Sequence, residues 1–264
     1  YLRLERLARG GSAEIYRALD RQTGSSVALK LLLPALMGDR TAHARIRREG
    51  ALLRRYQHAG LPRLFATLSE PPGLVLEHID GSSLSQVLAA AGRMRAADIL
   101  PIYDALLTVL GFLHEERIVH RDIKPSNVMV PNRVGDGSAV KLIDWGLASL
   151  SESPDAVDKL TRSGIPIGTP LYMSPEHCQG RGINEKSDVY CLGLVLFELL
   201  TGQPPFSGST PVAVMMAQLT QPLPRWPCSD ALDLLLYEQA RLMTLKAPQD
   251  RPTIATLRSE LRPY

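Results

Sequence analysis

His120-Arg121-Asp122-Ile123-Lys124-Pro125-Ser126-Asn127 and, further on, Ile143-Asp144-Trp145-Gly146 are the two stretches that decide how this chain is read. Asp122 and Asn127 stand five residues apart with Lys124 between them, and Asp144 follows Asn127 by 17 residues. Taken alone, Asp-x-Lys-Pro-Ser-Asn is a polar turn with capping side chains. Such a turn does not explain the apolar run Asn127–Val130 behind it. Nor does it explain a second strand pattern, Ala139–Ile143, that ends on Asp144. A hairpin that delivers Asn127 and Asp144 to one place explains both.

Upstream, residues 1 to about 80 alternate apolar and polar residues between turns. Tyr1–Leu7 and Glu14–Leu19 flank Arg9-Gly10-Gly11 and read as a hairpin, and Ser26–Leu33 reads as a third strand. Thr41–Tyr56 has helical periodicity with Ile46, Leu52 and Leu53 as its apolar stripe, and Leu64–Leu68 and Leu74–Ile79 read as two more strands. After Asp80-Gly81 the character changes. Ser83–Ala91, Ala96–Glu115, Glu185–Leu200, Thr210–Leu219, Asp230–Leu245 and Thr253–Arg262 all read as helices. The expectation is an α+β fold in two lobes, a small β-rich lobe with one main helix over 1–80 and a larger helical lobe over 81–264. A cleft between two lobes is a usual place for a small-molecule site.

A carboxylate that can orient a hydroxyl, a cation beside it and two further oxygen donors for Mg²⁺ are the groups that phosphoryl transfer needs. The string from His120 to Asn127, followed by Asp144-Trp145-Gly146, resembles the catalytic loop and metal-binding turn of the protein kinases. Other stretches carry the resemblance over nearly the whole chain. Leu7–Ile15 occupies the place of the Gly-rich loop, with Ala8 and Ala13 where the first and third glycines are usual and Gly10 keeping the second. Val27-Ala28-Leu29-Lys30 sets one cation in an apolar strand, an uncomfortable place for a charge that is neither paired nor used. Gly168–Glu176 resembles the end of an activation segment, with Ser174 for the usual Ala. Lys124 together with Thr169 is the serine/threonine combination. Gly10-Gly11-Ser12 and Leu200–Phe206 bring the chain nearest to the bacterial eukaryotic-like, Hanks-type serine/threonine kinases.

The resemblance implies roles residue by residue. Asp122 is the expected catalytic base, Lys124 a contact to the γ-phosphate, and Asn127 and Asp144 the Mg²⁺ ligands. Lys30, paired with Glu49, positions the phosphates of ATP under residues 8 to 15, including Ala8 and Gly10. Adenine lies between Ile15 and Ala28 on one side and Met129 on the other, with Leu76 behind it and the backbone of Glu77 and Ile79 along its edge. Thr169 docks the substrate. Thr161 and Ser163 are expected autophosphorylation sites gripped by Arg121, loosely, because Ser149 stands where a second cation is usual. Glu176 and Arg251 are expected to form a buried ion pair, and Asp188 to brace the backbone of the catalytic loop. Trp145 replaces the usual Phe and, if buried, needs a partner for its N–H.

Composition sets the remaining bounds. Across 264 residues, 45% are hydrophobic and 22% charged, enough for a substantial core, and the net charge of +3 is only mildly basic. Arg recurs from Arg45 to Arg55 with Glu49 among them, which reads as a solvated helix face and not as a nucleic-acid site. Cys178, Cys191 and Cys228 form no CxxC pair, which argues for reduced thiols in the cytoplasm. No run reaches 18 apolar residues, so no membrane segment is expected within the chain, and no signal peptide leads it. The expectation is one cytoplasmic domain of a larger, membrane-anchored protein. Expected partners are protein substrates bearing Ser or Thr, and a second copy for autophosphorylation. The alternatives are an ATP-binding pseudokinase acting as a scaffold and a small-molecule phosphotransferase. The presence of Lys30, Glu49, Asp122, Asn127 and Asp144 weighs against the first, and the activation segment against the second.

Overall fold

The structure, a computed structural model, describes residues 1–132, 139–145 and 170–264, and the backbone of 149 and 150. The described chain forms two compact units: Tyr1–Ser82 with Met129–Leu147, and Ser83–Val128 with Ala148–Tyr264. The linear division at residue 80 therefore differs from the structural one over residues 129–147. The reason is long-range bonding. Leu142 N–H donates to Gly60 O at 2.8 Å, and Asn132 N–H to Asp80 O at 3.0 Å.

The first unit is built on β1 (Leu2–Arg9), β2 (Ala13–Leu19), β3 (Ser26–Leu32), β4 (Leu64–Ser69) and β5 (Pro72–Glu77), in the order β1-β2-β3-β5-β4 with antiparallel neighbours. Alternation gives the sheet two faces. Val27, Leu29 and Leu31 join Ala18 and Val75 in one buried cluster. Ala28, Lys30 and Leu32 point the other way, toward α1 (Arg40–Arg55). That helix forms because Asp39 caps it, its side chain accepting from Thr41 N (2.7 Å) and Ala42 N (3.3 Å). Its buried residues, Ala42, Ile46, Glu49, Gly50 and Leu53, recur at helical spacing. Gly50 has a steric reason: a Cβ there would come within 2.8 Å of Leu74 Cδ2, so glycine lets α1 lie close to the sheet. A second set of short strands, β6 (Gly81–Ser83), β8 (Val128–Pro131) and β9 (Lys141–Leu142), forms a sheet in the order β6-β8-β9.

The second unit is mainly helical. Its helices are α2 (Leu84–Ala91), α3 (Ala96–Glu115), the short α4 (Pro175–Gln179), α5 (Glu185–Thr201), α6 (Pro211–Thr220), α7 (Ala231–Met243) and α8 (Ile254–Leu261). Two short strands, β7 (Ile118–Val119) and β10 (Ser149–Leu150), pair antiparallel. α5 is the central element, with nearly every residue from Ser187 to Leu200 buried. It ends at Gly202 in the left-handed region (φ 78°), where a Cβ would also meet Gly92 O at 2.6 Å. Each fully buried Leu, Val or Phe of this core contributes roughly 1.5–3 kcal/mol. α3 is long and apolar enough to cross a membrane by length and composition. Its Ile99, Tyr103, Leu106, Leu107 and Leu110 are buried within the unit, as in the core helix of a globular domain.

Glu176 and Arg251 form the buried pair that the sequence suggests. Arg251 Nη1 and Nη2 donate to the two Glu176 oxygens at 2.6 and 3.0 Å. The other three N–H groups of the guanidinium donate to Leu245 O, Lys186 O and Lys246 O, so all five donors are satisfied. Burial, the largest influence, would raise the Glu176 carboxyl, but the bonds from Arg251 and Ser187 prevail and hold it below its ordinary value. Truncation to Arg251→Ala leaves a buried carboxylate unpaired and should cost about 3–5 kcal/mol. Arg251→Lys keeps the charge but not the five-donor fork, so it too should lower the melting temperature. Thermal denaturation of both variants checks this, and an unchanged midpoint for Arg251→Ala would contradict it.

Candidate active site

In the first unit the site grows from β3. Lys30 lies directly opposite Ile15 on β2 and Leu74 on β5, while Ala28 lies opposite Leu76. Cross-strand partners share a face, so Ile15, Ala28, Lys30 and Leu76 line the same side of the sheet. A cation there has left water, with Lys30 only 8% exposed. Its Nζ donates to both Glu49 oxygens at 2.8 and 2.7 Å and to Asp144 Oδ1 at 2.9 Å. Burial alone would depress the lysine, but the two carboxylates outweigh it and raise it to about 12. Lys30 is therefore a fixed cation at neutral pH. Burial acts on Glu49 in the opposite sense, raising its carboxyl, with the charge of Asp144 adding to this and Lys30 opposing it.

Asp144 occupies a left-handed backbone conformation (φ 65°), and its side chain is half exposed beside Lys30. Trp145 next to it is fully buried. Its Nε1–H donates to Leu142 O at 3.4 Å, the partner that the sequence requires, and its backbone N–H bonds to the Glu49 carboxylate. The turn between β1 and β2 is closed by Gly10 N donating to Ala13 O at 2.9 Å. Neither Ala8 nor Ala13 is among the non-glycine residues with positive φ, so replacing the usual glycines leaves the backbone unstrained. Glu77 ends β5, with Ile79 two residues beyond it and Met129 in β8, and all three are half-buried. Glu77 N donates to Arg63 O at 2.8 Å. Its carboxylate accepts from Lys141 Nζ at 2.9 Å and Arg63 N at 3.1 Å. Lys141 was not singled out by the sequence reading. Its signal matches that of Lys30, a lone cation in the apolar run Val140–Ile143.

In the second unit the loop after β7 gathers the other expected residues. Asp122 accepts from Lys124 Nζ at 2.9 and 2.8 Å, and from Asn127 Nδ2 at 2.8 Å. Asn127 Nδ2 also donates to Asp122 O at 2.8 Å, which leaves its amide oxygen for another use. Asp188, fully buried at the start of α5, accepts from His120 N (2.8 Å) and Arg121 N (2.9 Å). Arg121 has φ 70°, so this brace holds a strained turn. Burial, the largest influence, would raise the Asp188 carboxyl, but His114, His120 and the Arg121 N–H hold it down. His114 Nε2 lies 3.0 Å from Asp188 Oδ2, a contact that the sequence reading did not foresee from a lone His on an apolar helix. Thr161, Ser163 and Thr169 lie outside the described residues.

These two constellations resemble those of a protein kinase: a buried lysine held between a helix glutamate and Asp144, and an Asp-Lys-Asn loop braced from a buried aspartate. The chain matches the protein kinase domain family over residues 1–260 and belongs to it. It is similar to the serine/threonine-protein kinase pkn3 of Myxococcus xanthus, with 32% identity over 94% of this chain and 47% of that protein. PknB of Mycobacterium tuberculosis is 32% identical over 97% of this chain and 41% of its own length. The probable serine/threonine-protein kinase SCO3848 of Streptomyces coelicolor is 36% identical over 79% of the chain and 31% of its own length. The chain spans less than half the length of these curated relatives.

His177, next to Glu176, adds a titrating group to the second unit. Its Nδ1 lies 2.8 Å from Ser174 Oγ, and its buried Nε2 has no hydrogen-bond partner among the described residues. Burial, only partly offset by Asp188 and Glu176, holds its pKa below the ordinary 6.5. The unfolded chain therefore takes up a proton near pH 6.5 that the folded chain resists. This contribution to stability is full above that pH and is lost as the pH falls. The melting temperature of His177→Gln should fall less steeply than that of the wild type between about pH 7.5 and 5.5. Parallel curves would show that His177 is protonated equally in both states.

Proposed function

We propose that this domain transfers the γ-phosphoryl group of ATP to serine or threonine hydroxyls of protein substrates, at a rate on the order of 1–100 per second. The observation that carries the reading is Lys30, a buried cation held by both oxygens of Glu49 and by Asp144. A pseudokinase reading would need a gap in the set Lys30, Glu49, Asp122, Asn127 and Asp144, and all five are present.

Lys30 presents its charge to the phosphates of ATP. Ala8, Gly10, Ile15, Ala28, Leu76 and Met129 take the nucleotide, with the backbone of Glu77 and Ile79 along the adenine edge. Because Glu77 N–H is already bonded to Arg63 O, the adenine contact there falls to the carbonyl. Asp144 and the amide oxygen of Asn127 would hold Mg²⁺, which neutralises phosphate charge when bound. Among the described residues there is no cluster of three acidic, His or Cys side chains that could cage a metal. That suits an ion that takes one or two protein oxygens and fills its shell with phosphates and water. Asp122 orients the substrate hydroxyl and receives its proton, its carboxylate held in place by Lys124 and Asn127. Lys124 neutralises the phosphoryl group in transit. Thr169 docks the substrate. The cytoplasm, with its ATP and reduced thiols, suits the three free cysteines.

Asp122→Asn and Asp144→Asn should each abolish phosphoryl transfer in the folded domain. Asp144→Asn should also weaken Mg²⁺-dependent nucleotide binding, whereas Asp122→Asn should not. Radiolabelled transfer beside calorimetric titration with nucleotide separates the two roles, and wild-type turnover in either variant would refute the assignment.

Regulation follows from Arg121 and from Ser149. A phosphate on Thr161 or Ser163, added by a second copy of the chain, brings a charge near −2 for Arg121 to grip. With Ser149 in place of a second cation, activation should be modest. Thr161→Ala/Ser163→Ala should therefore keep part of the wild-type rate, and mass spectrometry after incubation with ATP should find phosphate at these positions in the wild type. Complete loss of activity in the double variant would refute the modest effect, and unmodified residues in the wild type would refute the sites.

A further inference from the structure

The exposed face of α1 carries six arginines: Arg40, Arg45, Arg47, Arg48, Arg54 and Arg55. Among the described residues none of the six is in an ion pair. The one acidic residue of the helix, Glu49, is buried on Lys30. The nearest acid before the helix, Asp39, is bonded to the backbone N–H groups that it caps. Arg40, Arg47 and Arg54 are seven residues apart, close to two turns, and form one row about 10.5 Å from step to step. Arg48 and Arg55 form a second row. Ala44 and Ala51, both exposed, lie between the rows and leave a shallow trough. Arg55 has another kind of partner, the Tyr56 ring, whose centroid lies 5.2 Å from its Cζ.

A second observation locates an anchor point. At the start of the helix a cavity of about 420 Å³ is lined by Met37, Gly38, Arg40, His43, Ala44 and Arg47. Met37, Gly38 and Ala44 give it apolar lining, with Arg40 and Arg47 as its cations. The loop that forms it is held in place, with His43 Nε2 lying 2.8 Å from Met37 O. A bilayer surface is too flat to fill such a hollow. No Phe, Tyr or Trp lines it to stack a nucleic-acid base.

We propose that this face of α1 docks an acidic peptide segment of a partner protein, with one bulky apolar side chain of that segment seated in the cavity and its carboxylates set between the arginine rows. The fork of an arginine matches a carboxylate in a bidentate way, which favours this chemistry over a diffuse anion. The inference goes beyond the phosphotransfer reading and does not depend on it, because binding can be measured on the folded domain without turnover.

The test is fluorescence polarisation with a labelled peptide of alternating Asp and Glu around a single Phe. Three controls are the same peptide with Phe→Ala, vesicles of anionic phospholipid and an unstructured DNA oligonucleotide. The acidic peptide should bind, and more weakly as salt rises. Phe→Ala in the peptide, and Arg40→Glu/Arg47→Glu in the domain, should each weaken binding about ten-fold or more. Arg40 is in the first turn, where an acid favours the helix dipole, and Arg47 is exposed, so the domain variant should remain folded, and its circular dichroism checks this. Arg54→Glu/Arg55→Glu, away from the cavity, should also weaken the peptide but keep its preference for Phe. Absence of peptide binding, equal binding of the Phe→Ala peptide, or tighter binding of vesicles or DNA than of the peptide would each overturn the proposal.

Discussion

The first unit depends on the solvation of one ammonium group. Lys30 sits inside an apolar strand because β3 must be apolar to make the sheet, and an unpaired charge there would cost several kcal/mol. Two carboxylates cancel that cost, and each comes from a distant part of the chain, 19 and 114 residues away. Supplying them fixes other choices. α1 must lie close to the sheet, hence Gly50 facing Leu74 and not a larger residue. The residues after β9 must turn sharply to present Asp144, hence its positive φ. The fit that makes Lys30 tolerable also makes it a fixed cation.

The second unit repeats this logic with the sign reversed. Asp188 is fully buried, and its charge is met by two backbone N–H groups of the loop after β7 and by His114. The loop is held in an unfavourable conformation at Arg121 because the alternative is an unsolvated carboxylate. Glu176 and Arg251 tie the segment after residue 170 to the loop before α8, with a guanidinium whose five donors are all used. In both units buried ionic groups specify position more than they add stability, and the positions specified are those of the candidate site.

Much of this was legible in the sequence. Strands β1 to β5 and the longer helices have strong periodicity, and their expected limits fall within a few residues of those observed. The pairs Lys30–Glu49 and Glu176–Arg251 and the brace from Asp188 were implied by the resemblance to the protein kinases, and of these residues Lys30 also carries a signal of its own, a charge in an apolar run. What was hidden has no local signature. That residues 129–147 belong with the first unit rests on backbone bonds from Leu142 to Gly60 and from Asn132 to Asp80, and any residue type can make these. β7 and β10 are two residues each, too short to carry a period. Lys141 could have been found by the rule that found Lys30. His114 could not, since a single His on an apolar helix is most often an ordinary core residue.

Trp145, next to Asp144, gives this domain an optical property. The chain holds two tryptophans, Trp145, fully buried beside the Glu49 carboxylate, and Trp226, half-buried in the second unit. Indole emission is sensitive to local polarity and to nearby charge. With Phe in place of Trp226, the remaining indole emission of the protein would come from one ring, hydrogen-bonded to Leu142 O and one residue away from Asp144. The domain therefore carries its own chromophore one residue from Asp144, where an emission spectrum can follow changes around Lys30, Glu49 and Asp144 without any added label.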